Sequence, residues 1–234
     1  MSNHSYKTLV IIPAYNEEEN IINVIRSIKS VEFPSGEIDI CVVNDASSDT
    51  TSYLAKTECD VVIDLGVNLG VGGAIRAGFQ YARKHKYDYV IQMDADSQHN
   101  PKYLPDFIKS LSCNDIVIGS RYKQDFGYPI SKVTRVAQLT LRFLIRILYR
   151  LDITDPTSGF RASNAKAIEL FAEHYPTPFL QDTIGSIILA KNNGLNLIEI
   201  PTEMQPRLLG QASYSTLRRT KYFVLSLLLV VFWR

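Results

Sequence analysis

The sequence predicts an α/β protein, a Rossmann-like and mostly parallel sheet with helices on both faces, followed by amphipathic and apolar helices toward the C-terminus. Three observations carry that expectation. Short apolar, β-branched-rich runs recur between turn residues, helical periodicities separate them, and their carboxyl ends collect the acidic residues. The runs are Thr8 to Ile12, Ile38 to Val43, Val61 to Leu65, Tyr89 to Met93 and Ile116 to Gly119. Between the first two, Ile21, Val24, Ile25 and Ile28 recur at helical spacing, with Asn16 placed as N-cap and Glu19 placed to close a capping box. Gly72 to Lys84 and Pro101 to Leu111 are the next helices, and Pro101 suits a first turn. Further on, Ser131 to Leu151 reads as one basic amphipathic helix. Its Arg135, Arg142, Arg146 and Arg150 fall close to one face, and Leu139, Phe143, Leu144 and Ile147 occupy neighbouring ones. Tyr222 to Trp233 is uncharged but shorter than the about 20 apolar residues a bilayer requires; it suits a buried helix, an interfacial helix or the first half of a span.

A chain of 234 residues can bury a full core without disulfides or zinc, so one domain over residues 1–213 is expected, with an apolar helix over 214–234. The 25 Lys and Arg nearly cancel the 24 Asp and Glu, which leaves no nucleic-acid footprint in the composition. Cys41, Cys59 and Cys113 are far apart with no CxxC spacing, as expected of free thiols in a reducing compartment. The first residues hold no apolar stretch of the kind that directs secretion, in keeping with a cytosolic fold.

Doubly wound sheets bind ligands beyond the carboxyl ends of their strands. Three such ends carry carboxylates here: Glu17 after the first run, Asp45 and Asp49 after the second, and Asp94 and Asp96 after the fourth. Asp94 and Asp96 are two apart, so persisting strand geometry would put both on one side, where like charges repel unless a cation joins them. Mg²⁺ or Mn²⁺ suits such a pair, since hard ions take oxygen ligands and keep substrate phosphate among them. Alternatively the pair is a solvated turn that caps the helix at Pro101. Asp45 is placed to accept from a ribose hydroxyl or a base edge, or else, like Ser47, to cap a helix starting near Ser48. The glycines at 70, 72, 73 and 78 lack dinucleotide spacing and follow the third run, which counts against an oxidoreductase. A glycine-rich helix entry still offers backbone N–H groups to an anion, with Arg76 one turn in. Residues 155–162 form a turn-rich loop with an acid, two hydroxyls and Arg161, which also reads as a plain surface loop. Asp182 opens a helical pattern, where it equally suits a dipole partner, and His99 and His174 read as structural.

Taken together, PAYNE at 13 to 17, VVNDASSDT at 42 to 50, NLGVGGAIRAG at 68 to 78, DADSQHNP at 94 to 101, GSRY at 119 to 122, DPTSGFRA at 155 to 162, and Arg207 followed by Gly210 and Ser213 resemble the inverting GT-A glycosyltransferases of family 2. The nearest likeness is to the dolichyl- or polyprenyl-phosphate hexosyltransferases. The resemblance implies a GDP- or UDP-hexose donor, a polyprenyl phosphate acceptor, Mg²⁺ or Mn²⁺, and work at the cytoplasmic face of a membrane, peripheral or anchored through the C-terminus. Carried over by position, Pro13, Tyr15, Glu17, Asp45, Gly72 and Arg76 belong with the nucleotide sugar, and Asp94, Asp96 and Gln98 with metal and diphosphate. Arg121, Arg161, Arg207 and Ser213 belong with donor or acceptor phosphate, and Ser131 to Leu151 with an interface helix. Asp155 and Asp182 are the acids available to a hydroxyl acceptor. Two other readings remain: a family 2 enzyme acting on a saccharide or protein hydroxyl, and a catalytically silent nucleotide-sugar-binding subunit. A membrane-anchored partner subunit or a homo-oligomer is compatible with the apolar C-terminal stretch. Asn44 stands where many relatives have a first aspartate, and Ser213-Tyr214 where the eukaryotic mannosyl enzymes have Ser-Lys.

Overall fold

Alternation of side chains along the strands assigns them to two cores. Leu9 and Ile11 face one and Val10 and Ile12 the other, and all four are buried. The computed structural model describes residues 6–33, 36–127, 132–177 and 181–205, together with Leu227, Val230 and Val231. Its strands are β1 (Lys7–Ala14), β2 (Glu37–Asn44), β3 (Val61–Asp64), β4 (Tyr89–Gln92), β5 (Ile116–Ser120), β6 (Arg161–Asn164) and β7 (Leu197–Pro201). They form one sheet in the order β3-β2-β1-β4-β6-β5-β7. All neighbouring pairs are parallel except those of β6, which runs antiparallel to β4 and β5.

The helices are α1 (Ile21–Lys29), α2 (Thr51–Glu58), α3 (Gly70–Lys84), α4 (Leu104–Leu111), α5 (Lys132–Tyr149), α6 (Ala165–His174) and α7 (Gln181–Asn192). Side chains of α1, α2 and α4 fill one core, and those of α3, α5, α6 and α7 the other. The expected mostly parallel sheet with helices on both faces is the fold observed. A short 3-10 turn, Pro101–Tyr103, leads into α4, and Asn100 accepts from the Lys102 N–H at its start.

Three local expectations give way. Helix α1 begins at Ile21, not near Asn16. Asn16 has φ 54° and spends its side-chain oxygen on Ser48, so it ties the β1 and β2 loops together and caps nothing. Helix α2 begins at Thr51, whose N–H is taken by Asp49, so neither Asp45 nor Ser47 is its cap. Strand β6 has no counterpart in the sequence reading, because Arg161-Ala-Ser-Asn164 lacks β-branched and aromatic residues; burial between β4 and β5 makes it a strand. Being antiparallel, β6 starts at the edge of the sheet where its parallel neighbours end. The 155–160 loop is thereby delivered beside the carboxyl end of β4.

Of the C-terminal stretch only Leu227, Val230 and Val231 are described. All three are helical, and Val230 is buried with its carbonyl accepting from the Tyr149 hydroxyl at 2.8 Å. The rest of residues 214–234 lies outside the described residues. Among those described, no helix is long and apolar enough to cross a membrane.

Phe79 of α3 is fully buried, with the rings of Phe171 and Tyr175 at 5.2 and 5.5 Å. Phe79→Ala should cost about 3–5 kcal/mol, read as a lowered denaturant midpoint, because the α3–α6 contact has little freedom to collapse into the void.

Candidate active site

Strand β4 ends at Gln92, so Asp94 and Asp96 lie in a turn. They are therefore not aligned by extended geometry, as the two-residue spacing suggested. Ser97 takes φ 64°, and Asp96 Oδ1 accepts the Gln98 N–H at 3.0 Å, which folds the turn back on itself. The Asp94 side chain keeps 45% exposure. A Cβ at Gly159 would stand 3.3 Å from Asp94 Oδ1, so glycine leaves the space beside that carboxylate open. Among the described residues no three His, Cys, Asp or Glu side chains converge as a ready metal site. Two carboxylates with space beside them match ions such as Mg²⁺ that complete their shell with phosphate and water.

Across from this turn lies a buried ion pair. Arg121, just after β5, directs Nε to Asp155 Oδ2 at 2.6 Å and Nη2 to Oδ1 at 2.7 Å, and its backbone N–H meets Oδ2 at 3.1 Å. Asp155 has no exposure. Thr157 Oγ1 donates to Asp155 and accepts from both Arg121 Nη2 (3.0 Å) and Gln138 Nε2 (2.9 Å). Buried Glu199 of β7 accepts the Thr154 and Asp155 N–H groups and the Thr154 hydroxyl, all within 2.9 Å. Asp155 is thus committed to Arg121 on both carboxylate oxygens.

A cavity of about 270 Å³ opens beside Asp94, lined by Val71, Ile75, Gln92, Tyr175 and Asp182 among others. Burial raises the Asp182 carboxyl to about 6, against the opposing pull of Arg161. Arg161 itself is buried and does not present a surface cation as expected. Its Nε, Nη1 and Nη2 donate to the Ser158, Thr183 and Pro156 carbonyls and the Ser186 hydroxyl at 2.7–3.0 Å, so it mainly shapes the 155–161 loop. Among the described residues it has no ion pair within 4.0 Å, so its charge acts on the cavity as a field. Arg207 and Ser213 lie outside the described residues.

Just beyond the end of β1, the strand next to β4, Tyr15 is half exposed and Glu17 accepts from Asn20 at 2.8 Å. Pro13 pairs in register with Val43 between these loops. Asp45 is buried and accepts the Leu69 N–H at 2.7 Å, so it steadies the entry to α3. Asn44 donates to Asp64 at 2.8 Å; an aspartate at 44 would set two carboxylates face to face. Gly72 lies in the first turn of α3, where a Cβ would stand 2.6 Å from the Pro176 carbonyl, so this position also serves close packing. The other expected anion ligand is placed elsewhere. Arg76 donates to the Glu173 carbonyl at 2.6 Å, at the end of α6.

Glu199 and Gln138 escaped the sequence reading; Thr157 enters it only as one of two hydroxyls in the 155–162 loop, and His99 only as a structural residue. His99 Nδ1 accepts the Asp94 N–H at 3.0 Å, and burial lowers its pKa to about 4, which keeps the ring neutral. Its only sequence signal is adjacency to the aspartate turn. Glu199 and Gln138 carry none, since their partners are 19 or more residues away, and Thr157 is signalled only by Asp155 two residues before it.

The Asp182 shift makes a stability prediction. Its folded pKa, about 6, lies above the ordinary 3.8, so the folded state holds the proton more tightly and stability falls as pH rises between those values. Asp182→Asn should therefore be more stable than wild type at pH 7.5, by an amount of order 1–3 kcal/mol. In denaturant titrations the gain should shrink toward pH 4.

Residues 9–171 match the glycosyl transferase family 2 domain. The chain is 30% identical to the undecaprenyl-phosphate mannosyltransferase of Micrococcus luteus over 220 residues, 89% of this chain and 88% of that protein. It is also 30% identical to the UDP-N-acetylglucosamine–dolichyl-phosphate N-acetylglucosaminyltransferase of Methanococcus voltae over 213 residues, 82% of this chain and 83% of that one. In fold it resembles glucosyl-3-phosphoglycerate synthase from Mycobacterium tuberculosis, solved with Mn²⁺, uridine-diphosphate and glucosyl-3-phosphoglycerate. The TM-score is 0.72 at 20% identity, covering 97% of this chain and 78% of that one. Aspartates at the carboxyl end of β4, on a sheet of this order and within a domain match of this length, have one consistent assignment: the chain belongs to glycosyl transferase family 2 and is a glycosyltransferase.

Proposed function

We propose that this enzyme transfers a hexose, with inversion, from a nucleotide-diphosphate sugar to a polyprenyl phosphate at the cytoplasmic face of a membrane. The observation that carries the acceptor assignment is α5. One of its faces packs inward through Leu141 and Ile145, while Val136, Leu139, Phe143 and Ile147 are each more than half exposed. These four follow at steps of three and four, so they form one stripe, flanked by Arg135, Arg142 and Arg146. A continuous apolar stripe edged by arginines suits the boundary between acyl chains and anionic headgroups. Gln138, on the same helix, reaches the Arg121–Asp155 pair through Thr157. The surface suited to lipid and the cation suited to phosphate are thereby joined. The names of the M. luteus and M. voltae relatives support the same acceptor class.

In this reading Asp94 and Asp96, with Gln98, would hold Mg²⁺ or Mn²⁺, and the ion would supply charge neutralisation to the leaving diphosphate. Pro13, Tyr15, Glu17 and Asp45 form the nucleotide site, and Arg121 draws in phosphate. A polyprenyl phosphate oxygen attacks the anomeric carbon, the carbon–oxygen bond to the diphosphate breaks, and the electron pair leaves with the nucleoside diphosphate. The acceptor's second pKa is about 6, so it is already mostly dianionic and needs no base. Positioning and electrostatics then suffice. A second reading draws on Asp182: a buried carboxyl near 6 is suited to deprotonating a sugar or protein hydroxyl.

Asp96→Asn should reduce metal-dependent transfer by about 100-fold or more with the fold intact by circular dichroism, as loss of a main electrostatic group does; undiminished turnover contradicts the assignment. With polyprenyl phosphate as acceptor, Asp182→Asn should retain transfer, whereas selective loss of chemistry with donor still bound favours the hydroxyl reading. Replacing Arg142, Arg146 and Arg150 together with Gln should weaken flotation with anionic vesicles, each charge contributing about 1 kcal/mol near such a surface. Equal flotation would make α5 an ordinary surface helix.

A further inference from the structure

We propose that His99 is a positioning residue that fixes Asp94 from behind, so that this aspartate meets a divalent cation in one orientation. The proposal rests on the reading of Asp94 and Asp96 as the metal and diphosphate pair. Because Nδ1 accepts the Asp94 N–H at 3.0 Å, the ring proton belongs on Nε2. That nitrogen is buried, has no hydrogen-bond partner among the described residues, and lies 3.5 Å from Asp94 Oδ2. The ring is therefore bonded to the Asp94 backbone and lies beside the carboxylate of the same aspartate without a hydrogen bond to it.

The plane of the ring is set independently. His99 stacks on Phe160 at 4.7 Å with an interplanar angle of 11°, and Phe160 lies 4.5 Å from Phe107 of α4. A bridge between His99 and Met204 and the bond from the Gln205 N–H to the Gln98 carbonyl hold the backbone on either side. Turning the ring to offer Nε2 as a ligand would give up both the stack and the Asp94 N–H bond. The geometry thus assigns His99 to the layer behind the ligands, where losing a partner costs about 10–100-fold in metal affinity or activity. Phe160 follows Gly159, whose missing side chain leaves room at Asp94, so one dipeptide both clears the front of the aspartate and braces the histidine behind it.

The test is Mn²⁺ binding by electron paramagnetic resonance, with UDP and, separately, GDP present. His99→Phe keeps an aromatic ring for Phe160 and removes the acceptor; His99→Asn keeps an acceptor and removes the ring. We expect Mn²⁺ affinity to fall about 10-fold or more in His99→Phe and by less in His99→Asn, with melting temperatures recorded beside each. Wild-type affinity in a folded His99→Phe overturns the proposal, as does nitrogen coupling to Mn²⁺ in the wild-type pulsed spectrum, which would make His99 a ligand. If His99→Phe does not fold, His99→Leu, which also removes the acceptor, takes its place, and wild-type affinity in that variant overturns the proposal equally. Absence of Mn²⁺ binding by wild type with either nucleotide overturns instead the metal reading on which the proposal rests.

Discussion

The pairing of Arg121 with Asp155 is the constraint on which the site depends. A carboxylate with no solvent exposure carries a desolvation cost of several kcal/mol, which only close and well-aligned partners offset. Arg121 supplies two charge-assisted bonds below 2.8 Å. Their geometry requires the end of β5 and the loop before β6 to stand together. Glu199 holds that loop from the edge strand β7, and Thr157 saturates the remaining side while recruiting Gln138 from α5. Strand β6 then runs back between β4 and β5, which sets Gly159 against Asp94. Removing either member of the pair leaves a buried charge unmatched and frees the loop that shapes the cavity.

Charge organises the rest of the region. Asp94 and Asp182 line the cavity where a diphosphate is proposed to lie, Asp96 stands on the same turn as Asp94, and these carboxylates would repel it unassisted. The cations answer in different ways. Arg121 is spent in part on Asp155, and Arg161 is turned into the protein on carbonyl oxygens, acting through its field. Arg76 stands outside altogether, at the end of α6. A divalent cation at Asp94 and Asp96 is the simplest way to reverse the sign of that front.

Much of this was legible in the sequence because local rules govern it. The five parallel strands β1 to β5, the helices between them and the acidic strand ends follow from hydrophobic period and turn chemistry, and the structure places them within a few residues of expectation. What was not legible depends on partners distant in sequence. Asn16 looked like a cap until Ser48, 32 residues on, claimed its side chain. Arg161 looked like a surface cation because its acceptors are mostly backbone carbonyls, which carry no sequence signal. Strand β6 has polar residues in a central position, so only its neighbours disclose it. The exposed stripe on α5 was half visible: the periodicity gave apolar faces and an arginine face, but which apolar face is covered depends on tertiary packing.

The central claim is that Asp94 and Asp96 mark the place where a metal ion and a nucleoside diphosphate meet. A crystal structure of the protein grown with Mn²⁺ and UDP or GDP addresses it most directly. The account predicts anomalous density for one ion, bonded to an oxygen of Asp94 or Asp96 and to a diphosphate oxygen, with the base near Tyr15 and Asp45. A nucleotide bound elsewhere, or a diphosphate seated there by side chains alone at saturating Mn²⁺, would contradict it.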